Sequence, residues 1–186
     1  YEFTVQPPRE GAEPEVTEGS ELDRLPPADL VCELARRKGR DVADQLASGP
    51  SQSQDWVVLA ADTVADCQGR VLGKPCDVEH AREILSQLSG CEHRVYTGVG
   101  IVTAKESSPY TEAISTILQM APLEPSWLEP YLASGRWEGK AGAFGYQDGL
   151  SFVRIVAGSE SNVVGLPMER VAELLAQRGC FPGHGG

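Results

Sequence analysis

The chain has 186 residues, 41% of them hydrophobic, which is enough for one domain with a real core and too apolar for a disordered polymer. Its formal net charge of −11 argues against broad, sequence-independent binding to nucleic acid or to an anionic membrane surface. The same charge poses a problem for any phosphate-rich substrate, which locally placed lysines or a bound cation would have to meet.

No run approaches the roughly 20 apolar residues that a membrane span requires. The longest, Trp56-Val57-Val58-Leu59-Ala60-Ala61, has the length of a strand. Tyr1-Glu2-Phe3-Thr4-Val5 lacks the basic start and apolar run of a secretory leader. Cys32, Cys67, Cys76, Cys91 and Cys180 are odd in number and form no CxxC pair. They read as reduced thiols of a cytoplasmic protein rather than a disulfide framework or a zinc site.

In chain order, residues 1–27 are rich in Pro and Glu after a short strand-like start and read as a loop. Over 29–46, Val31, Leu34, Ala35, Val42 and Leu46 keep helical spacing, which predicts a helix buried on one face. Lys38 lies on that face while Arg36 and Arg37 point elsewhere. It either snorkels past the core edge or aims a cation inward at bound phosphate. After a loop over 49–54, residues 56–61 predict a strand covered on both faces. Asp62 then falls where strand gives way to loop, the place where open α/β sheets gather ligands. There it can hold Mg²⁺, act as a base toward water, or simply cap the turn.

A hairpin is expected over 64–72, turning at Gln68-Gly69. Lys74 follows in Gly73-Lys74-Pro75, and with no GxxxxGK[ST] this is not a P-loop. Gly-Lys-Pro is either an ordinary turn or a means of placing an ammonium near anionic oxygens at the next helix N-terminus. That helix has Asp77 as its N-cap, a buried stripe of Ala81, Ile84, Leu85 and Leu88, and an end at Gly90. Residues 93–103 and 111–120 read as two strands that can pair. Residues 127–132 predict a short helix containing Pro130, 151–156 a strand, and 167–178 a helix with Pro167 in its first turn.

Strands and helices alternate, so the expected fold is α/β with a mixed sheet. Gln147 follows the glycine-rich turn Lys140-Ala141-Gly142-Ala143-Phe144-Gly145-Tyr146. Backbone in such a turn can approach a ligand closely, and a Gln amide can read the edge of a base or simply lie in solvent. His80, expected on a helix surface, His93, expected to be structural, and His184 show no metal-ligand spacing. No GxSxG or Cys/His pattern supports a covalent nucleophile.

One order of short motifs is specific. Ala61-Asp62-Thr63, Gly73-Lys74-Pro75, Leu88-Ser89-Gly90 with His93, Tyr96-Thr97-Gly98, Lys140-Ala141-Gly142 with Gln147, and Asn162-Val163-Val164-Gly165-Leu166-Pro167 resemble the Maf family of nucleotide pyrophosphatases, over residues 3–179. The resemblance implies a mixed twisted sheet flanked by helices, with two lobes around a nucleotide cleft, similar to inosine triphosphate pyrophosphatases. It implies hydrolysis of a nucleoside triphosphate to the monophosphate and diphosphate with a divalent metal, Mg²⁺ or Mn²⁺. The substrate would be dTTP, UTP or a modified nucleotide, since Asp-Thr with an aromatic-lined Gln looks like the dTTP/UTP branch. By position Asp62 matches the proton acceptor, Lys38 and Lys74 match phosphate-side lysines, and Thr63 and Gln147 match positions linked to base choice. Asp62 would also hold the metal, together with Glu13, chosen over Glu10 as the glutamate that follows the family's first strand. No nucleic acid or membrane partner is expected, and a homodimer is left open.

The sequence departs from the family in its opening. Members begin with a strand and a loop resembling Ala-Ser-x-Ser-Pro-Arg-Arg that grips the triphosphate, and the chain starts beyond its counterpart: either the sequence is a fragment, its start is misassigned, or the protein lacks that site. The expectation is a single domain over 1–186 without that strand and loop. A competing expectation follows, a non-catalytic nucleotide-binding or division-regulating module. Gly39 stands where Ala is usual, and Phe144-Gly145-Tyr146-Gln147-Asp148 where Tyr-Gly-Ile-Gln-Gly is usual.

Overall fold

A computed structural model describes residues 3–9, 11, 20–49, 55–105, 109–149 and 151–181. Three long strands, β1 (Val57–Cys67), β3 (Glu92–Thr103) and β4 (Tyr110–Met120), form the middle of a sheet edged by β2 (Arg70–Leu72) and β5 (Val153–Ala157). The order is β2-β1-β3-β4-β5, and all four pairings among the described strands are antiparallel. The α/β class therefore holds, while a parallel partner that would make the sheet mixed is not among the described residues. The β1–β2 hairpin turns where expected, with Gln68 at φ 55° and Gly69 at φ 82°, both positive as a tight hairpin turn favours.

Strand alternation divides β3 between two layers. Its even residues face α1 (Pro27–Ser48), which buries Leu30, Val31, Leu34, Ala35 and Val42. Its odd residues face the other layer, where Val95 joins α2 (Val78–Leu88) and Val99 and Ile101 meet Val171 and Leu174 of α5 (Met168–Ala176). α1 rests on the sheet with almost nothing between the backbones. A Cβ on Gly98 would lie 2.1 Å from the Val31 oxygen, and one on Gly100 2.9 Å from the Ala35 oxygen.

Local signals set most boundaries. Asp77 accepts a hydrogen bond from the His80 amide at 2.8 Å, and Ala81, Ile84, Leu85 and Leu88 are buried as their spacing required. α3 (Pro125–Ala133) accommodates Pro130, and its Trp127 stacks on Tyr131 at 4.6 Å. α4 (Glu160–Val164) was not foreseen. It is five residues long, capped by Ser159 and stopped by Gly165 at φ 113°, so it carries no periodicity to read.

His93 is only 2% exposed and meets Phe144 edge-on at 5.8 Å. Burial pushes its pKa below the ordinary value. Between that lowered pKa and the unfolded value of about 6.5, only the unfolded chain binds the proton, so stability is lost as pH falls into this window. Urea midpoints are thus expected to drop between pH 7.5 and 5.5, and to drop less in His93→Phe. Equal pH slopes in the two proteins would contradict this.

Candidate active site

The outer edge of β1 is covered by β2 only at residues 65–67 among the described strands. Along the remaining edge runs a cleft of about 360 Å³. It borders β1 from both sides, so neighbouring residues that point to opposite faces of the strand can share it.

Asp62 does not sit at a strand end. It lies in the middle of β1 opposite Gly98, and the extended backbone continues to Cys67. The apolar run stops at Ala61 because the strand there borders a polar cleft, not because the strand ends; residues 57–66 are all paired with β3. The rule that places ligands at strand carboxyl ends therefore does not locate this cleft.

Lys38 points inward from α1, and its Nζ donates to Asp62 Oδ1 at 2.6 Å, with the two side chains 21% and 18% exposed. Its contact is thus the carboxylate, 24 residues away in sequence. Thr63, on the opposite face of β1, lies with its Oγ1 2.8 Å from Thr97 Oγ1. Lys74 is exposed in the loop between β2 and α2 and borders the same cleft. Gln147, also exposed, lies in the single turn Tyr146–Asp148 and borders it too. These five residues, chosen from the sequence, are brought to one cleft. Glu13 and Glu10 lie outside the described residues.

The loop carrying Gln147 is held by several contacts. Gly142 has φ 72° and Ala143 φ 61°, a left-handed conformation that costs a non-glycine residue about 1 kcal/mol or more. Tyr131 Oη donates to the Ala143 oxygen at 3.2 Å, and burial pushes this phenol up to about 12. The Gly142 amide donates to the Gly73 oxygen at 3.1 Å, tying this loop to the one that carries Lys74. Lys140 closes the loop by donating to Asp148 Oδ2 at 2.6 Å, which accounts for an acid where the family pattern has glycine.

Lys140 was missed as a site residue although its Lys-Ala-Gly motif was noticed; a lysine placed directly before a glycine-rich turn was the available signal. Thr97 and Asn162 stand in the motifs Tyr96-Thr97-Gly98 and Asn162–Pro167, but nothing local shows that they meet. Asn162 is fully buried, with its Nδ2 donating to the Val95 oxygen at 3.3 Å and to Thr116 Oγ1 at 2.9 Å.

Three lysines, Lys38, Lys74 and Lys140, and one carboxylate, Asp62, line the cleft among the described residues. An acidic chain thus presents a locally cationic hollow, which answers the difficulty posed by its net charge. Among the described residues no three His, Cys, Asp or Glu side chains cluster as a metal cage. Mg²⁺ usually takes one or two protein carboxylates and completes its shell with water and substrate phosphates. Asp62 fits a cation that arrives with a triphosphate. All five cysteines are free. No helix among the described residues is long and apolar enough to cross a membrane.

A cationic cleft along a strand edge of an α/β domain, presenting a carboxylate and an amide-bearing loop, suits a small phosphorylated molecule. A family model described as "Maf-like protein" matches residues 2–178. The chain belongs to this Maf-like family. It is 46% identical over 176 residues to the dTTP/UTP pyrophosphatase of Rhodopirellula baltica, covering 94% of this chain and 72% of the relative. It is 41% identical over 175 residues to that of Moorella thermoacetica, covering 94% and 83%. With that of Salinibacter ruber the identity is 40% over 177 residues, covering 94% and 79%.

Proposed function

We propose that this chain is a nucleoside triphosphate pyrophosphatase that hydrolyses dTTP and UTP to the nucleoside monophosphate and diphosphate. The observation that carries the reading is the joining, in one cleft, of a Lys38–Asp62 pair with Lys74, Thr63 and Gln147. The relatives' names describe the same reaction for those proteins.

Water attacks the α-phosphorus, the bond from that phosphorus to the α,β-bridging oxygen breaks, and diphosphate leaves. Asp62 takes the proton from the attacking water. Lys38 fixes the Asp62 carboxylate in the ligand-free protein and shares its charge with the phosphates when substrate enters. Lys74 holds the outer phosphates, so the chain supplies positioning and charge stabilisation and no covalent intermediate. A divalent cation, Mg²⁺ or Mn²⁺, held by Asp62 and Glu13 together with the substrate's own phosphate oxygens, would neutralise developing charge. Free thiols throughout the chain support action in the reducing cytoplasm. A non-catalytic nucleotide-binding module is the less favoured reading, because a carboxylate stands beside the phosphate-side lysines and the relatives are named for turnover.

The test is incubation of the chain with dTTP, UTP, CTP and GTP in Mg²⁺ or Mn²⁺, with both products quantified. Equimolar monophosphate and diphosphate from dTTP and UTP are expected. Orthophosphate with a nucleoside diphosphate, or binding with no product at all, would sink the proposal.

A further inference from the structure

Gly145 has no conformational need to be glycine. Its φ of −110° and ψ of 120° are extended backbone that any residue adopts. What a side chain would meet there is an ion pair. A Cβ at this position would lie 2.8 Å from Lys140 Nζ, 3.1 Å from Lys140 Cε and 3.1 Å from Asp148 Oδ2. The room left at residue 145 is thus taken by the Lys140 ammonium and by the carboxylate that holds it at 2.6 Å.

The two partners differ in what they face. Lys140 lines the cleft, whereas Asp148, its side chain 17% exposed, stands outside the lining. An ammonium has three donors, and among the described residues Asp148 Oδ2 is the acceptor that takes one of them. Held from behind, the ammonium keeps its other donors for a ligand in front. The loop that carries it is also tied to the loop of Lys74, because the Gly142 amide donates to the Gly73 oxygen at 3.1 Å. That bond starts two residues from Lys140 and ends one residue from Lys74, so both lysines approach the cleft from neighbouring points of backbone.

We propose that Lys140 is a further cation for the anionic end of the substrate, and that Asp148 is a positioning residue that aims it, in room kept free by Gly145. This rests on the hydrolase reading above, which supplies the ligand class, an anion bearing a diphosphate. A lysine stem loses much rotamer freedom when its head is fixed. Pairing with Asp148 removes that freedom before the ligand arrives, so less is lost on binding. Asp148 therefore strengthens the grip on an anion although its own charge opposes it.

That opposition of charge and position gives the experiment its sign. Binding of inorganic diphosphate with Mg²⁺ is measured by calorimetry, which needs no turnover, alongside thermal unfolding. The proteins are the native chain, Lys140→Met, Asp148→Asn, Gly145→Ala and the double variant Lys140→Met/Asp148→Asn. Lys140→Met should raise Kd about ten- to hundredfold, the loss of one charge-assisted hydrogen bond. Asp148→Asn should raise it about three- to tenfold, the effect of one side chain no longer held in place. Removal of a negative charge beside an anion would by itself lower Kd. Gly145→Ala should weaken binding as Asp148→Asn does, at a native Tm, because the atom its Cβ meets first is the far end of a flexible side chain. The double variant should bind no more weakly than Lys140→Met, since Asp148 acts through the lysine. Unchanged or tighter binding in Asp148→Asn, or losses that add in the double variant, would overturn the proposal. So would native affinity in Gly145→Ala, a result independent of whether the variants at 148 fold, or a native chain that takes up no diphosphate. Across the series kcat/KM for UTP should fall in step with the rise in Kd. No diphosphate released from UTP by the native chain would instead overturn the hydrolase reading and leave the binding comparison standing.

Discussion

Asp62→Asn is expected to lower diphosphate release from dTTP and UTP by a factor of about 10²–10⁴, the range attributable to a positioned general base. Asparagine keeps the shape of the side chain and can still accept from Lys38 Nζ, now 2.6 Å from Asp62 Oδ1, so the local structure has a reason to persist. What disappears is the ability to take a proton. Because that ability acts at the transition state, kcat and kcat/KM should fall together with KM little changed. Thermal unfolding near the native temperature would separate lost chemistry from lost fold. Full activity in this variant would show that Asp62 is not the proton acceptor.

Gly98→Ala is expected to be the most damaging small substitution in the described sheet. The added Cβ would lie 2.1 Å from the Val31 oxygen, 2.3 Å from its carbonyl carbon and 2.8 Å from the Cys32 nitrogen. All three are backbone atoms of α1, so no side-chain rotation relieves the clash and the helix itself must lift. Overpacking of ordinary cores costs about 1–3 kcal/mol, and a clash with helix backbone belongs at or above the top of that range. For a chain of this size about 3 kcal/mol lowers Tm by roughly 6–12 °C. Activity should fall too, since Gly98 is paired opposite Asp62 and Lys38 lies about two turns along the same helix from Val31. Gly100→Ala, with 2.9 Å to the Ala35 oxygen, should be milder. A native Tm for Gly98→Ala would refute the backbone-on-backbone account of this interface.

The parts of the fold that were legible are those encoded within a few residues. α2 could be placed from Asp77 and its four-residue buried stripe, and the hairpin from Gln68-Gly69, because caps, periodicity and turns are local. β1 was cut short at Ala61 because polar Asp62, Thr63 and Asp66 broke its apolar run. A strand edge that borders a cleft has a reason to be polar, and only its pairing with β3 reveals it as strand. α4 was invisible for the opposite reason, having a cap and a stop but too few residues between them.

The candidate site divides in the same way. The position of Lys38 on the buried face of its helix was readable, whereas its partner across 24 residues was not. Motif order singled out Asp62, Lys74, Thr63 and Gln147 and implied a shared nucleotide cleft, but only the fold shows that the cleft runs along the uncovered edge of β1. The contacts from Thr63 to Thr97 and from Thr97 to the Asn162 oxygen join three elements, and the longer spans 65 residues, so no window of sequence contains them.

The backbone hydrogen bond from the Gly142 amide to the Gly73 oxygen joins two loops that border the cleft. One of these loops carries Lys74 and the other Gln147. In the proposed pyrophosphatase, where Lys74 meets phosphate and Gln147 the base, a base that displaced the 141–147 loop would displace the lysine with it. Such a substrate would react more slowly while bound as well as leave sooner.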